Sequence, residues 1–339
     1  MKNSISLLVL AMLLLSANVY GFHVPQNMGR ALKSKALKMQ DTDLFTPNIG
    51  VDVPGFDADV GSLFDQPGMK SDSRFKTGRS LYLEYDDTIL CYDAFYGDKK
   101  STVYYLTCLN TPKNDCRSTQ IETYCRDRGY NFITADYYGV GRSGGTFTDG
   151  CPSKWVADTI KVIEELSSTP KVVLCGSGVG GWIAVLVALQ RPDLVSGIVG
   201  LAADPDFTED LLMKYLSEDE INKIMENGVH TIKWGATSYP ISKRLLEDGR
   251  ENLVLRGAKS SLNITCPVRL VHSMADEEVP FSTAVRLASC IKGNDVKINL
   301  LKSNSHHLDN DVGFSAMKAA VEDCIKSYFE FDLTTPASG

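Results

Sequence analysis

The sequence predicts an α/β protein with a mostly parallel central sheet covered by helices on both faces. Three observations lead there. From Leu81 onward, strand-type and helix-type segments alternate, an order that builds parallel βαβ units. The stretch VVLCGSGVGGWIA, residues 172–184, reads as a strand entering a glycine-rich turn and leaving it as a helix. Residues 205–262 then break the alternation with polar helical text and WGATSYPI, an insertion expected to cap the carboxyl edge of the sheet. Open α/β sheets bind their ligands at that edge.

The elements follow in order. LYLEYDDTILCYDAFYG (81–97) reads as a hairpin or strand pair, STVYYLTCL (101–109) as a buried strand, and CRSTQIETYCRDRGY (116–130) as a helix ended by Gly129. Strand NFITAD (131–136), helix SKWVADTIKVIEEL (153–166), strand KVVLCG (171–176), helix Gly180 to Gln190 and strand GIVGLAA (197–203) continue the pattern. After the cap come strand PVRLVHS (267–273), helix 281–291, strand VKINLL (296–301) and helix 312–329. The domain is expected over 76–330, followed by a disordered tail, 331–339, ending TTPASG.

The amino-terminal text is of another kind. Residues 1–21 read as a signal peptide: Lys2, the apolar run from Ile5 to Leu15, then Val19 and Gly21 at the −3 and −1 positions. The run is short for a bilayer span, and no later segment approaches about 18 consecutive apolar residues. Residues 22–40 open on Phe22 and carry Arg30, Lys33, Lys35 and Lys38 with no acid, the composition of a transit peptide. Together the two segments predict import into the plastid of an alga whose plastid lies inside an endomembrane; secretion with a basic propeptide is the alternative. Residues 41–75 hold seven Asp with Phe45, Phe56, Phe64 and Phe75 among Pro and Gly, and read as an acidic linker or arm. The chain has 35 Lys+Arg against 42 Asp+Glu, and all five basic residues of the first 40 precede any acid. That leaves 30 basic against 42 acidic residues from Asp41 onward, a surface that argues against unspecific nucleic-acid binding.

Nine cysteines are scattered with no CxxC and no metal-ligand spacing, and an odd number cannot all pair internally. Buried thiols are expected in a plastid stroma, and some bridges in a secreted protein. The triplet Asn263-Ile264-Thr265 becomes a glycan site only if the chain folds in the secretory lumen. Nothing in the sequence points to a metal, nucleotide or flavin.

The chemistry concentrates at three places. In a GxSxG elbow the third residue is the nucleophile, lifted above the sheet by a turn that its flanking glycines permit. Here Gly176 and Gly180 flank a turn whose third residue is Gly178, with Ser177 one position before it and Val179 one after. A phosphate-holding loop of the GxGxxG kind shares this look, and the later residues weigh against it. Asp276 stands in the loop after strand 267–273, and His306 and His307 just after strand 296–301. Alone, Asp276 reads as a solvated loop acid and His306 as a surface histidine. At these topological positions, in the order elbow, acid, base, they read as a retained catalytic dyad.

The stretches ADYYGVGRSGGTFTDG (135–150), GSGVGGWIAVLVALQRPDLVSGIVGLAADPDFTEDL (176–211), LLEDGRENLVL (245–255) and CPVRLVHSMADEEVP (266–280) carry a family resemblance over roughly residues 81–329. The chain resembles the α/β-hydrolase family that includes the mitochondrial palmitoyl-protein thioesterase and acyl-glucuronide esterase, with bacterial carboxylesterase relatives. The resemblance implies cleavage of acyl esters or thioesters by a serine nucleophile, with Asp276 orienting His306 as general base. It also implies two departures at one reaction centre. The family's serine falls on Gly178. Its oxyanion loop, usually His-Gly followed by an apolar residue, falls on Thr107, Cys108 and Leu109, so that Leu109 and Val179 mark the oxyanion region; the usual acid before the histidine is Ser305.

A triad lacking one member keeps only about 10³ to 10⁴ of acceleration over water, too little for a working esterase. Glycine at the elbow tip relieves a strain of roughly 1 to 3 kcal/mol, so the fold survives the loss. Ser177, the one nearby substitute hydroxyl considered, is expected to project toward a neighbouring strand or loop and away from the tip. The sequence therefore leads to a protein without serine-hydrolase activity that binds a small acyl-type ligand or a protein partner. The alternative is an active carboxylesterase or acyl-thioesterase, or a hydrolase or lyase working from His306 and Asp276 alone. A third class, an interaction protein, would draw on the Phe-bearing arm. Trp234 and Tyr239 of the cap are expected near the pocket or in the core. In an alga of the stated kind, residues 1–75 fused to a fluorescent reporter are expected to deliver it to the plastid; a reporter found in the medium would select the secretory alternative.

Overall fold

Eight strands form one sheet in the order β1-β2-β4-β3-β5-β6-β9-β10. They are β1 Leu81–Tyr85, β2 Thr88–Phe95, β3 Thr102–Leu106, β4 Asn131–Ala135, β5 Val172–Ser177, β6 Val195–Leu201, β9 Val268–Ser273 and β10 Val296–Leu301. The antiparallel edge ends where β2 meets β4, and from β4 to β10 every pairing is parallel. The computed structural model describes residues 81–85, 88–234, 237–302 and 305–334, all within the unit that begins at Arg74. The segments expected to be a signal peptide, a transit peptide and an acidic arm, and residues 335–339, lie outside the described residues.

The parallel strands β3, β4, β5, β6 and β9 are buried along their whole length, as a sheet covered on both faces requires. Helices α1 (Cys116–Arg128) and α7 (Asp311–Thr334) pack Ile121, Met317 and Val321 against Val103, Tyr105, Val173 and Val199 on one face. On the other, α2 (Pro152–Leu166) and α3 (Val179–Gln190) pack Trp155, Trp182 and Ile183 against Tyr104, Ile133 and Leu174. Helix α3 is apolar all round, and its residues from Val179 to Ala188 are buried. A helix of that kind needs cover on every side, which the cap helps to supply. Trp182 Nε1 donates to the Asn252 carbonyl at 3.1 Å, tying the end of the cap to this helix.

The alternation expected from the sequence is observed, with three differences. Strand β3 stops at Leu106, because its neighbour β5 pairs with it only as far as Gly176 before turning away. Residues 107–109 are therefore loop. Within the cap, a π-helical turn Thr208–Leu212 and helix α4 (Glu218–Asn227) are followed by a hairpin, β7 Val229–Trp234 with β8 Thr237–Ser242, and by α5 (Lys243–Glu251). Gly228 in the left-handed region stops α4, and Val229, Thr231, Ile232, Thr237 and Ile241 suit a pleated strand better than a helix. Helix α6 (Ser282–Cys290) matches its expected place, whereas α7 continues to Thr334, into the segment read as a tail.

Two glycines test how tightly the strand–helix junction is built. A Cβ at Gly176 would run into the backbone of Gly180 and Gly181, whereas one at Gly228 would meet nothing within 4 Å. Gly176→Ala is expected to lower stability by about 2 to 3 kcal/mol. Gly228→Ala, strained only by its positive φ, is expected to lose about 1 kcal/mol. Urea midpoints at unchanged m would report both.

Candidate active site

Chain reversal after β5 sets the first part of the site. Gly178 has φ 52° and ψ −120° and caps the amino end of α3. Its N–H donates to the Leu201 carbonyl at 3.0 Å, and its carbonyl accepts from Gly181 at 2.9 Å and Asp204 at 3.1 Å. Gly180 lies so close to the Leu106 and Thr107 carbonyls that any side chain there would collide with them. The turn is thus pressed against the end of β3. Ser177, by contrast, is wholly buried on the face of β5 that carries Val173 and Cys175. Its hydroxyl has no hydrogen-bond partner among the described residues, and it lies beside Tyr105.

The acid and base come from the loops after β9 and β10. Asp276 is fixed through Oδ1 by the N–H groups of Glu278 at 2.9 Å and Val279 at 2.8 Å. Its Oδ2 accepts from His306 Nδ1 at 2.9 Å and lies 3.3 Å from His272 Nε2. His272 Nε2 also faces the Val279 carbonyl at 3.0 Å. Both neighbours of that nitrogen are acceptors, so Nε2 carries the proton. Burial raises the Asp276 pKa, but the bonds from His272 and His306, the His306 charge and the Val279 N–H outweigh it and hold the carboxyl well below the usual range. For His306, burial opposes the charge, yet the bonds to Asp276 and Cys108 raise its pKa to about 10. These interactions contribute stability that is complete below the ordinary histidine value of 6.5 and is lost as pH rises through about 10.

The loop after β3 completes the site. Cys108 is partly exposed, and its thiol stands near the His306 imidazole and the Val179 N–H. A Cβ built on Gly178 would stand 2.5 Å from Cys108 Sγ. The sulfur therefore occupies the space into which an elbow side chain would point. Burial pushes the thiol up, but the His306 hydrogen bond, the Arg117 charge, the His306 charge and the Val179 N–H together bring it below its ordinary value. Arg117, on the first turn of α1, is 4% exposed, and its Nε and Nη1 have no hydrogen-bond partner among the described residues; Nη2 lies 3.3 Å from Asp115 Oδ2. Burial drives the Asp204 carboxyl well above the carboxylate range, the charges at Cys108 and Asp276 adding to the effect and His306 opposing it. Tyr239 of β8 also stands close enough for Cys108 to raise its pKa, after burial. The Trp234 side chain lies outside the described residues.

The structure thus gathers Gly178, Val179, Leu109, Asp276 and His306 at the carboxyl edge and leaves Ser177 on the far side of its strand. Sequence reasoning did not single out Cys108, Arg117, His272 or Asp204 for the chemistry. Only Cys108 carried a signal, its position in the oxyanion loop beside an elbow without a side chain. Among the described residues, no group of three or more His, Cys, Asp or Glu is arranged to hold a metal ion, and no helix is long and apolar enough to cross a membrane.

A turn after β5, an acid after β9 and a histidine after the last strand of a mostly parallel sheet define the α/β-hydrolase fold, and comparisons with known proteins agree. The family model described as serine aminopeptidase, S33 matches residues 116–236. The chain is 27% identical over 263 residues to the mitochondrial palmitoyl-protein thioesterase ABHD10 of Bos taurus, covering 74% of this chain and 81% of the relative. Among solved structures, a putative hydrolase from Agrobacterium vitis S4 superposes with a TM-score of 0.67 at 27% identity, over 73% of this chain and 98% of that one. Alpha/beta hydrolase domain-containing protein 10 from mouse shares the fold, with a TM-score of 0.66 at 24% identity over 74% and 99%. The chain thus has the α/β-hydrolase fold and is similar in sequence to these thioesterases and hydrolases.

Removing the Asp276 charge tests the electrostatics directly. Asp276→Asn is expected to lower the His306 pKa by about 1 to 3 units, followed by the imidazole proton resonances in an NMR pH titration. An unchanged titration would mean that Asp276 does not control His306.

Proposed function

We propose that the protein hydrolyses acyl esters or acyl thioesters without a serine nucleophile. The observation that carries this reading is the acid–base half of the site. His306 is bonded through Nδ1 to a buried carboxylate that is itself held by backbone N–H groups. An imidazole so held can take a proton from an attacking group and return it to a leaving group. A protein that only binds an acyl ligand has no need of that pair, so we favour the catalytic alternative over the binding-only expectation. Acyl chemistry as the class rests on the relatives: the printed name of the Bos taurus protein is palmitoyl-protein thioesterase, and this chain retains the acid and base positions. Gly178 excludes a hydroxyl at the elbow tip, and Ser177 is turned into the sheet. Serine-hydrolase chemistry is therefore absent from the proposal.

The test is turnover of short and long p-nitrophenyl esters and acyl thioesters by the mature chain. His306→Ala is expected to reduce it by about 10²-fold or more, and a fluorophosphonate is expected to leave Ser177 unmodified. Turnover that His306→Ala leaves unchanged would end the reading, and a phosphonate adduct on Ser177 would restore the serine mechanism.

A further inference from the structure

We propose that the missing nucleophile has been replaced from the neighbouring strand: Cys108 attacks the acyl carbonyl, in a Cys108–His306–Asp276 triad whose sulfur enters the site from the loop after β3. The proposal rests on the acyl-hydrolase reading above and adds the attacking atom and the covalent intermediate to it.

Strand register makes the exchange possible. In the parallel pair β3 and β5, Leu106 stands opposite Gly176. Cys108 and Gly178 each follow that pair by two residues, in the segments that leave the two strands at the edge where ligands bind. A side chain from either can reach the same point, and the point is filled from only one: the sulfur stands 2.5 Å from where a Gly178 Cβ would be. Glycine at 178 leaves room for the sulfur where it now stands; a side chain there would push the thiol to another rotamer.

The contacts at the sulfur are those an attacking group requires. Asp276 takes His306 Nδ1, which leaves Nε2 as the nitrogen to exchange a proton with the thiol. The site surrounds the sulfur with positive potential: His306 from the loop after β10, the buried guanidinium of Arg117 from α1 and the Val179 N–H at the start of α3. Arg117 matters because two of its nitrogens find no acceptor among the described residues. A buried cation left so is costly, and an anionic sulfur nearby offsets it. The remaining titratable groups around Cys108 are Asp204, Tyr239 and Tyr137. Burial raises the pKa of all three, which weakens the negative charge each could set against a thiolate. Among the cysteines, Cys108 is set apart: burial pushes the thiols of Cys125, Cys175, Cys266 and Cys324 up, whereas that of Cys108 is brought down.

The proposal also reassigns the oxyanion donors, the Val179 N–H passing from the thiolate at rest to the oxyanion once the sulfur has attacked. In an elbow hydrolase one donor is the N–H that follows the nucleophile and the other comes from the loop after β3. Here the N–H that follows the nucleophile is that of Leu109, and the second comes from Val179 across the elbow. The reaction balances as follows. The thiolate forms a bond to the acyl carbon, the ester C–O or thioester C–S bond breaks, and the leaving alkoxide or thiolate takes the His306 proton. Water, deprotonated by His306, then attacks the S-acyl carbon; the C–S bond to Cys108 breaks, releasing the carboxylic acid and restoring the thiolate and imidazolium.

Three measurements on the mature chain test it. Mass spectrometry after acid quench of a p-nitrophenyl butyrate reaction is expected to find one butyryl group on the Cys108 peptide, released by hydroxylamine. Cys108→Ala is expected to lower turnover by about 10³-fold or more, with Cys108→Ser as a second variant of nearly native volume. Iodoacetamide is expected to alkylate Cys108 at a rate that persists well below the pH of an ordinary thiol, and His306→Ala to abolish that persistence, which a merely structural cysteine would not show. Rescue supplies a further arm: Gly178→Ser in the Cys108→Ala background is expected to react with a fluorophosphonate at position 178, and Gly178→Ser alone to react far less because its Cβ meets the sulfur. Turnover that persists in Cys108→Ala, together with no acyl group on Cys108 of the unmutated protein, would overturn the nucleophile and leave the His306-dependent acyl chemistry standing. Absence of turnover in the unmutated protein on every ester and thioester removes the acyl reading and this proposal with it, whatever the alkylation shows.

Discussion

Parallel pairing between β3 and β5 is the constraint on which the site depends. Setting Leu106 opposite Gly176 ends both strands at one level, and the chain then leaves them differently, through a tight turn into α3 on one side and through a loop toward α1 on the other. Because β4 lies beyond β3 and β6 beyond β5, the two departing segments bound the crevice where the winding of the sheet reverses. Neither segment needs conformational freedom to reach the crevice, since the sheet delivers them there. The close approach of Gly180 to the Leu106 and Thr107 carbonyls fixes their separation to within what a missing Cβ allows.

Charge at the site is arranged in a chain rather than a pair. Backbone N–H groups hold Asp276, Asp276 holds His306 by one nitrogen, and the other nitrogen faces a sulfur that Arg117 and the start of α3 also address. Each link strengthens the next in a poorly solvated setting. His272 adds a second imidazole to the same carboxylate oxygen, so the carboxylate is gripped from both sides and has little freedom to rotate. Burial pushes the Asp204 carboxyl well above its usual range, with the Cys108 and Asp276 charges adding to the effect, so its own charge weighs less against theirs.

Much of this was legible in the residues. The alternation of strands and helices, the turn at Gly178, and the acid and base at Asp276 and His306 all follow from patterns that extend over a few residues each. What escaped reading is what depends on pairing between distant segments. Cys108 and Gly178 are far apart along the chain, and only the ladder shows that they meet. His272 lies in an apolar strand and Arg117 at a helix start, and nothing in their sequence neighbours shows that both side chains are buried. The hairpin Val229–Ser242 was missed because the flanking text is helical, and the early end of β3 because the length of a strand is set by its partner.

The joint occupancy of one point in space by two strand ends has a consequence for how such proteins are recognised. A serine at the turn would crowd the cysteine as it now stands and displace its sulfur, and a glycine at both would leave the histidine without an attacking group. A search keyed to the turn alone would dismiss this chain as inert. A better fingerprint pairs a bare elbow with a sulfur shortly after the third strand.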